Sequence, residues 1–196
     1  EIRQNMYREI SSPGSNLIAY YKLNETTGTT AIDTKGSYNG TLTNMSGNEW
    51  QTSPALFGPK QCLGFDGTDD YVALGSGLNI TGTNISIEAW IYPTDFKDAS
   101  FKNTIIGNDY WAGANLEGYV FRFGGPGGDL DFTMSCSGGD SWASTTATGV
   151  LTLNTWQHVA VTYDGSDVRI YVNGVEEHSS SHSTSINTAS KDPRIG

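Results

Sequence analysis

The sequence predicts an all-β fold in which two antiparallel sheets pack as a jelly-roll sandwich. Charged residues make up only 16% of the chain, and its 24 glycines stand among many Ser, Thr and Asn, a composition that favours short strands and turns over helices. Alternating apolar segments recur about every 8–15 residues with turn residues between them, which is the pattern of a sandwich. At 196 residues the chain is long enough for one such sandwich with a single core.

The first residues predict a short helix that stands outside the sandwich. Ile2, Met6 and Ile10 recur at four-residue spacing, which gives a helix an apolar stripe. The segment Ser11-Ser12-Pro13-Gly14 then ends the helix. We therefore expect two parts, with residues 1–14 as helix and linker and residues 15–196 as the β-sandwich.

Strands follow along the chain at a regular spacing. Ile85–Tyr92 is the clearest of them, because every second residue is apolar and Pro93 ends the run. The segment Asp95–Ala114 is long and irregular around one short strand, and Trp50–Pro59 is predicted to be a loop. The predicted strands are Leu17–Leu23, the end of the segment Ala31–Leu42, Cys62–Phe65, Tyr71–Leu74, Ile85–Tyr92, Thr104–Ile106, Gly118–Phe123, Leu130–Ser135 and Ala143–Thr148.

Residues 156–178 predict three more strands joined by two tight turns. The side chains alternate from Trp156 to Tyr163 until Asp164-Gly165 interrupts them, and they alternate again from Val168 to Val172. Asn173-Gly174 tolerates positive φ angles at both positions, as a two-residue hairpin turn requires. This stretch predicts one half-buried antiparallel sheet and contains no obvious catalytic group.

Several of these segments resemble the laminin G-like (LamG) family, whose jelly roll is concanavalin A-like. The family signature W-x-H-V-A-x-x-Y-D-G begins at Trp156 and leads into a Y-V-N-G hairpin. Phe65–Val72 is similar to the family's F-D-G-x-D-D-Y-V segment, Asp33–Thr41 to its D-x-x-G-x-x-N-G-T loop, and Ile85–Pro93 to its I-S-I-E-A-W-I-x-P strand. The resemblance covers roughly residues 17–196.

The resemblance also sets an expectation for the two ends of the chain. In this family Arg194–Gly196 precedes a loop and a last strand of the form I-D-E-V-R-I-Y, and Glu1–Met6 resembles the helix that follows such a strand. We therefore expect a tandem array of neighbouring LamG-like modules, in which the chain lacks the last strand of its own module. The alternative is a terminal helix that packs on its own sandwich, with a disordered or removed C-terminus.

Charge and hydropathy argue against two kinds of partner. The net charge of −10 argues against nucleic acid, because phosphate binding needs clustered Lys and Arg. No apolar run approaches the ~18 residues that a membrane span needs, so membrane insertion is not expected. Cys62 and Cys136 are either bonded to each other or present as buried free thiols.

One loop carries oxygen ligands in the pattern of a calcium site. A hard cation needs several oxygens within a short stretch of chain, and Asp33, Asn39 and carbonyls near Gly36 supply them. The family often binds one Ca²⁺, so the resemblance implies the same cofactor. Alternatively, Asp33 and Asn39 make Asx turns that fix the loop. A second acidic cluster, for which solvated turn residues are the simpler interpretation, consists of Asp66, Asp69 and Asp70.

Aromatic residues beside amides and carboxylates predict the ligand-binding site. The apolar face of a sugar packs on an aromatic ring while polar side chains bind its hydroxyl groups. The residues that combine these groups in irregular segments are Asn108, Asp109, Tyr110 and Trp111, and further along the chain Asp140 and Trp142. The alternative for each aromatic residue is a loop anchor buried against the sandwich, whereas Trp90 and Trp156 are predicted to be core residues.

Catalysis has little support in the sequence. Glucanases of this architecture place carboxylates on alternate residues of one strand, about 5 Å apart, whereas Glu88 is followed at the same face by Trp90 and Tyr92. No G-x-S-x-G elbow is present. His178 and His182 are separated by serines in what is predicted to be a loop or edge strand.

We therefore expect a non-catalytic, extracellular or cell-surface module that is stabilised by calcium and binds glycans or a surface protein. Two alternatives stay open. The first is a structural or adhesion spacer repeat of a large secreted protein, and the second is an accessory domain of a polysaccharide-degrading enzyme. A recognition module would bind its ligand through the loops, because the strands supply the framework, whereas a spacer repeat would have no small-molecule site.

Overall fold

The computed structural model describes residues 2, 6–7, 10, 14–47, 49–53, 61–96, 103–112, 115–136 and 141–196, and for residues 110–112 and 115 the backbone alone. Within these ranges the chain is built of strands, with one 3-10 helix at Ser76–Leu78. The strands are β1 Thr30–Ala31, β2 Gly40–Thr43, β3 Trp50–Thr52, β4 Gln61–Leu63, β5 Tyr71–Ala73, β6 Ile85–Ile91, β7 Asn103–Gly107, β8 Tyr110–Ala112, β9 Asn115–Glu117, β10 Tyr119–Gly124, β11 Asp129–Ser135, β12 Trp142–Ala147, β13 Gln157–Tyr163, β14 Asp167–Val172, β15 Val175–Ser181 and β16 Arg194–Ile195.

Two antiparallel sheets form the sandwich. The larger sheet has eight strands in the order β1-β2-β5-β16-β7-β10-β11-β12, and the smaller has four in the order β15-β14-β13-β6. Two further hairpins pair β3 with β4 and β8 with β9. The predicted all-β, two-sheet fold is therefore confirmed.

The main core lies between the two sheets. Apart from Gln157 at the start of β13, every second residue of β10, β11, β13 and β14 is apolar and points inward, as the two-residue period of a strand requires. Its largest fully buried side chains are Tyr119, Phe121, Phe132, Leu130, Met134, Ile170, Val159, Val161 and Val168. A second cluster around β1, β2 and β5 consists of Ala31, Leu42, Val72, Leu74 and Leu78. Ile106 packs against both clusters and joins them.

The hairpins between residues 156 and 178 form as the alternation predicts. β13 pairs with β14, and β14 with β15, all antiparallel. The φ angles are 50° at Asn173 and 75° at Gly174, the two positive values of a type I′ turn. The Asn173 side-chain oxygen also accepts a hydrogen bond from the His158 backbone N–H at 3.0 Å, which ties the turn to β13.

The segment Leu17–Leu23 differs from its predicted strand. In the described structure this segment forms one isolated antiparallel β-bridge, between Tyr21 and Asp33. A groove separates its other side from β6, which lies at the edge of the smaller sheet. A segment with alternating side chains becomes a strand only where a neighbouring strand forms hydrogen bonds with it, and the sequence pattern does not identify that neighbour.

The predicted N-terminal helix falls mostly outside the described residues. Within them, the Met6 N–H donates to the Ile2 carbonyl at 3.0 Å, a bond of the α-helical i to i+4 type. The Trp90 indole N–H donates to the Met6 carbonyl at 2.9 Å, so this part of the chain lies against β6. No helix among the described residues is long and apolar enough to cross a membrane.

Candidate functional site

The loop predicted to bind calcium is organised around the carboxylate of Asp33. One oxygen accepts the backbone N–H groups of Tyr20 at 2.8 Å and Lys35 at 2.9 Å. The other accepts those of Ser37 at 3.0 Å and Tyr38 at 3.1 Å. The side chain is 2% exposed, so these four bonds replace its hydration.

The rest of the loop closes around the same residue. The Asn39 side-chain oxygen accepts the Asp33 backbone N–H at 3.0 Å, and the Gly36 N–H donates to the Asp33 carbonyl at 2.8 Å. Burial raises the pKa of Asp33, but the four backbone N–H groups outweigh it and hold the pKa below its ordinary value of 3.8. The lone pairs of this carboxylate are thus directed at N–H groups, which favours the Asx-turn alternative at this position. Calcium binding here stays a prediction.

The second acidic cluster is brought together by the structure. Carboxylate oxygens of Asp66, Asp69 and Asp70 lie within 4.8 Å of one another. Asp66 and Asp69 are exposed, and Asp66 accepts the Thr68 N–H at 2.7 Å as a turn former does. The spacing of the three carboxylates agrees with a site for a hard cation, and it agrees equally with solvated turn residues.

The two segments predicted to bind a ligand lie at the same end of the larger sheet. Asn108 and Asp109 follow β7 and lead into the hairpin of β8 and β9, which carries Tyr110 and Trp111. β10 begins, β11 ends and β12 begins with Trp142 at the same end, because neighbouring strands are antiparallel. Asp140 and the side chains of Tyr110 and Trp111 lie outside the described part of the structure.

Asn108 is a structural anchor of this end. It is 3% exposed, its amide N–H donates to the Asn79 side-chain oxygen at 2.7 Å, and its own oxygen accepts the Tyr119 N–H at 3.1 Å. Gly118 has φ +77° and lies so close that a Cβ there would fall 2.4 Å from the Asn108 oxygen. Asn108 is therefore buried and holds the loop against the sandwich, which is the anchoring role considered above for the aromatic residues.

Asp109 is half-buried beside the next strand. Burial raises the pKa of its carboxyl group, and the nearby positive charge of Arg122 lowers it in part. The Arg122 side chain lies on β10, next to the Asp131 carboxylate of β11. These two side chains lie on the outer face of β10, β11 and β12, which points away from the core.

A polar network covers the outer face of these three strands, and its centre is the carboxylate of Asp131. One Asp131 oxygen accepts Arg122 Nε–H at 2.9 Å and Thr133 Oγ–H at 2.9 Å. The other accepts Ser144 Oγ–H at 3.0 Å and Thr146 Oγ–H at 2.7 Å. Asp131 is 1% exposed, so the network forms in a region from which water is largely excluded.

The strand register produces this network. Arg122 lies opposite Asp131, and Asp131 lies opposite Thr146. Thr133 lies opposite Ser144, and their oxygens are 2.6 Å apart. One row of side chains therefore crosses three strands, and short hydrogen bonds connect its members.

The network prepares the outer face to bind hydroxyl groups. Thr146 gives its proton to Asp131, and Ser144 gives its single proton either to Asp131 or to Thr133, so both hydroxyl oxygens keep a lone pair that can accept a hydrogen bond. The Ser144 side chain is exposed. Trp142 lies on the same face of β12, two residues before Ser144, and is half-buried. An aromatic ring beside fixed oxygen acceptors is the combination that a pyranose or furanose ring requires.

The network residues were not among the predicted site residues, although the sequence carried a signal for them. Asp131 and Thr133 alternate with Leu130, Phe132 and Met134, so the polar pair must face away from the core. What the pattern lacks is the register across the strands, which brings Arg122, Ser144 and Thr146 to the same point.

The fold and this site define an all-β jelly-roll module with a polar, partly aromatic outer face. The family model described as the concanavalin A-like lectin/glucanases superfamily matches residues 66–196, more than half of the chain. The chain therefore belongs to this family, and the resemblance to laminin G-like domains is confirmed. No curated protein is significantly similar to the chain.

Solved structures share the fold. Domain 4 of an extracellular arabinanase from Geobacillus stearothermophilus, in complex with arabinotriose, is 20% identical with a TM-score of 0.58, and the match covers 84% of this chain and 76% of that one. Residues 221–444 of an S-layer domain-containing protein from Clostridium thermocellum are 26% identical with a TM-score of 0.51, covering 83% of this chain and 71% of that one. The first likeness, at this identity, shows the fold alone.

Proposed function

We propose that the chain is a non-catalytic, extracellular recognition module that binds carbohydrate on the outer face of β10, β11 and β12. The observation that supports the proposal most is the buried Asp131 network, which fixes hydroxyl oxygens beside Trp142. Binding costs less entropy when the acceptor groups of the protein are already held in place than when the ligand must order them. The arabinotriose complex of the arabinanase domain supplies a first ligand to try.

The bonding of Asp131 supports binding over hydrolysis. A glycosidase needs one carboxylic acid to protonate the leaving group and one carboxylate to act as nucleophile or base. Four donor groups of the protein already lie within hydrogen-bonding distance of the Asp131 oxygens, which are therefore turned toward the protein and not toward a sugar. Asp131 therefore suits the role of a positioning residue for the hydroxyl groups around it.

Isothermal titration calorimetry with arabinotriose, together with a glycan array in the presence of calcium, tests this proposal. We expect binding that Trp142→Ala weakens at least ~10-fold, because the sugar loses its aromatic contact. Ser144→Ala, at an exposed position, is expected to weaken it several-fold. Tyr171→Ala is the matched control, since Tyr171 is a half-buried aromatic residue on the smaller sheet.

Two results would count against carbohydrate binding at this face. The first is a blank array together with no heat on addition of arabinotriose. The second is a ligand whose affinity falls with Tyr171→Ala and not with Trp142→Ala. A blank array would favour the spacer or adhesion repeat, for which the likeness to the S-layer domain-containing protein is the supporting observation.

Calcium stabilisation is part of the proposal and has its own test. A ligand that binds only the folded state raises the melting temperature, so Tm measured in millimolar CaCl₂ should exceed Tm measured in EGTA. Asn39→Ala should remove the rise if the ion binds in the Asp33 loop, and Asp69→Asn should remove it if the ion binds at the exposed cluster. Equal melting temperatures in CaCl₂ and EGTA would contradict calcium binding.

A further inference from the structure

The hydroxyl groups of the outer face have a fixed proton direction. Thr146 Oγ–H donates to an oxygen of the Asp131 carboxylate at 2.7 Å. Ser144 Oγ lies 3.0 Å from the same oxygen and 2.6 Å from the Thr133 oxygen, and its single proton goes to one of these two acceptors. A ligand on this face therefore meets lone pairs at Thr146 and Ser144, while the protons of both hydroxyl groups stay inside the network.

The charges of the face do not favour an anionic ligand. β10, β11 and β12 together carry one cationic side chain, Arg122, and two carboxylates, Asp129 and Asp131. Arg122 forms an ion pair with Asp131, with Nε 2.9 Å from the carboxylate oxygen. Burial raises the pKa of Asp109, and the positive charge of Arg122 lowers it in part, so Arg122 also acts on a second carboxyl group. The single cation of these strands is therefore offset by acidic groups of the protein itself.

Neutral and anionic sugar groups differ in the hydrogen bonds that they can form with these oxygens. A sugar hydroxyl group carries a proton and donates to a lone pair, whereas an ionised sulfate or carboxylate group has acceptors alone. Against Thr146 and Ser144, an anionic group would place lone pairs opposite lone pairs and would leave them unpaired, which costs free energy when water is displaced. A site built to bind a hydroxyl group strongly rejects an analogue that lacks the proton.

We propose that the buried Asp131 carboxylate makes the outer face selective for neutral glycans over glycans that carry sulfate or carboxylate groups. This selectivity rests on the proposed function, because it concerns the ligands of the same site. Asp131 is 1% exposed and acts as a positioning residue, since it holds the Thr146 proton inward and does not itself contact the sugar. The ligands that fit are neutral pentose and hexose chains, whose hydroxyl groups donate to Thr146 and Ser144 while a ring packs on Trp142.

Replacement of Asp131 by Asn should reverse the proton direction at Thr146. Arg122 Nε–H donates to one Asp131 oxygen, so the oxygen of the new amide stays on that side and its NH₂ group faces Thr146. Thr146 then accepts a hydrogen bond from the amide, and its own proton turns toward the ligand. The face gains a donor and loses a negative charge, and both changes favour a sulfate group.

Isothermal titration calorimetry on the 196-residue chain tests the selectivity with a matched pair of ligands. The pair is arabinotriose and the same trisaccharide after chemical sulfation of its hydroxyl groups. We expect the parent chain to bind arabinotriose at least ~10-fold more tightly than the sulfated sugar. We expect Asp131→Asn to bind the sulfated sugar at least ~10-fold more tightly than the parent chain does. A variant that had merely lost structure would lose affinity for both sugars.

Variants of Thr146 separate proton direction from charge. In the Asp131→Asn background, Thr146→Val removes the hydroxyl group and leaves the charge unchanged, so most of the gain for the sulfated sugar should disappear. Thr146→Ser keeps a hydroxyl group and should keep the gain. If circular dichroism shows that Asp131→Asn does not fold, the same substitutions are made in the parent chain, where Thr146→Val should weaken arabinotriose binding several-fold and Thr146→Ser should preserve it.

Three results would overturn the selectivity. The first is a parent chain that binds the sulfated sugar as tightly as arabinotriose and loses that affinity with Trp142→Ala, which would leave carbohydrate binding at this face in place. The second is a folded Asp131→Asn chain with the parent's preference or, where that variant does not fold, a Thr146→Val chain with the parent's affinity for arabinotriose. The third is binding of neither sugar by the parent chain, which would count against the proposed function as well.

Discussion

At the scale of single residues, Asp33 and Asp131 have the same structural role in two parts of the fold. Each is a nearly fully buried carboxylate surrounded by four donor groups, which are backbone N–H groups at Asp33 and side chains at Asp131. A buried charge is costly unless its lone pairs are occupied, so both residues organise the groups around them. Asp33 orders a loop, and Asp131 orders the outer face of a sheet.

Replacement of Asp33 by Asn should destabilise the fold. An amide offers one acceptor oxygen and turns its NH₂ group toward backbone donors, so about two of the four charge-assisted bonds are lost, a cost of about 3 kcal/mol. Urea denaturation without calcium measures the change in the free energy of unfolding. Asp66→Asn is the matched control, because Asp66 is an exposed turn former and should cost less than about 1 kcal/mol.

The lowered pKa of Asp33 gives the same variant a pH signature. A carboxyl group whose folded-state pKa is depressed contributes stability above its unfolded-state pKa and loses that contribution as the pH falls through the folded-state value. The stability of the parent chain should therefore fall more steeply below about pH 4 than that of Asp33→Asn. Parallel pH profiles of Tm for the two proteins would show that Asp33 does not carry this contribution.

Residue types in sequence identified some of these positions and not others. Asp33 and Asn39 were predicted to act together, and the structure joins them through a hydrogen bond. Asn108 was predicted for the ligand site because it lies beside aromatic residues, yet both ends of its amide bind the protein itself. A local sequence pattern shows only which polar groups are near in sequence. The two hydrogen-bond partners of the Asn108 side chain are 11 and 29 residues away.

At the scale of elements, the turn at Asn173-Gly174 follows directly from sequence because its chemistry is local. Both residues adopt the positive φ angles that Asn and Gly tolerate best. The segment Leu17–Leu23 has an equally strand-like sequence and forms one isolated bridge in the described structure. Its pairing depends on a neighbour, so the alternation alone does not determine it.

Gly174→Ala should therefore destabilise the hairpin. A Cβ at φ 75° is strained, and the expected cost is about 1–2 kcal/mol in the free energy of unfolding. Gly127→Ala is the control, because Gly127 is an exposed turn glycine where a Cβ would meet its nearest neighbour, a carboxylate oxygen of Asp129, at 3.4 Å. A Gly174→Ala protein as stable as the Gly127→Ala protein would contradict the type I′ turn.

At the scale of the whole molecule, two sheets and two apolar clusters divide the surface into regions with different chemistry. The outer face of β10, β11 and β12 is polar and ordered by hydrogen bonds, while the groove beside β6 is apolar and rimmed by carboxylates. The sandwich itself was predictable, because alternation and turn residues are local. The order of strands in each sheet and the register that builds the Asp131 network were not, since they arise from pairings between distant segments.

An NMR titration shows directly whether the outer face of the larger sheet binds carbohydrate. Arabinotriose is added to the ¹⁵N-labelled chain, and backbone amide shifts are followed residue by residue. We expect the shifts to stay constant at Tyr171 and to change at five residues of the outer face, which are Arg122, Asp131, Trp142, Ser144 and Thr146. Shifts that change on the smaller sheet alone, or at no position at saturating sugar, would contradict it.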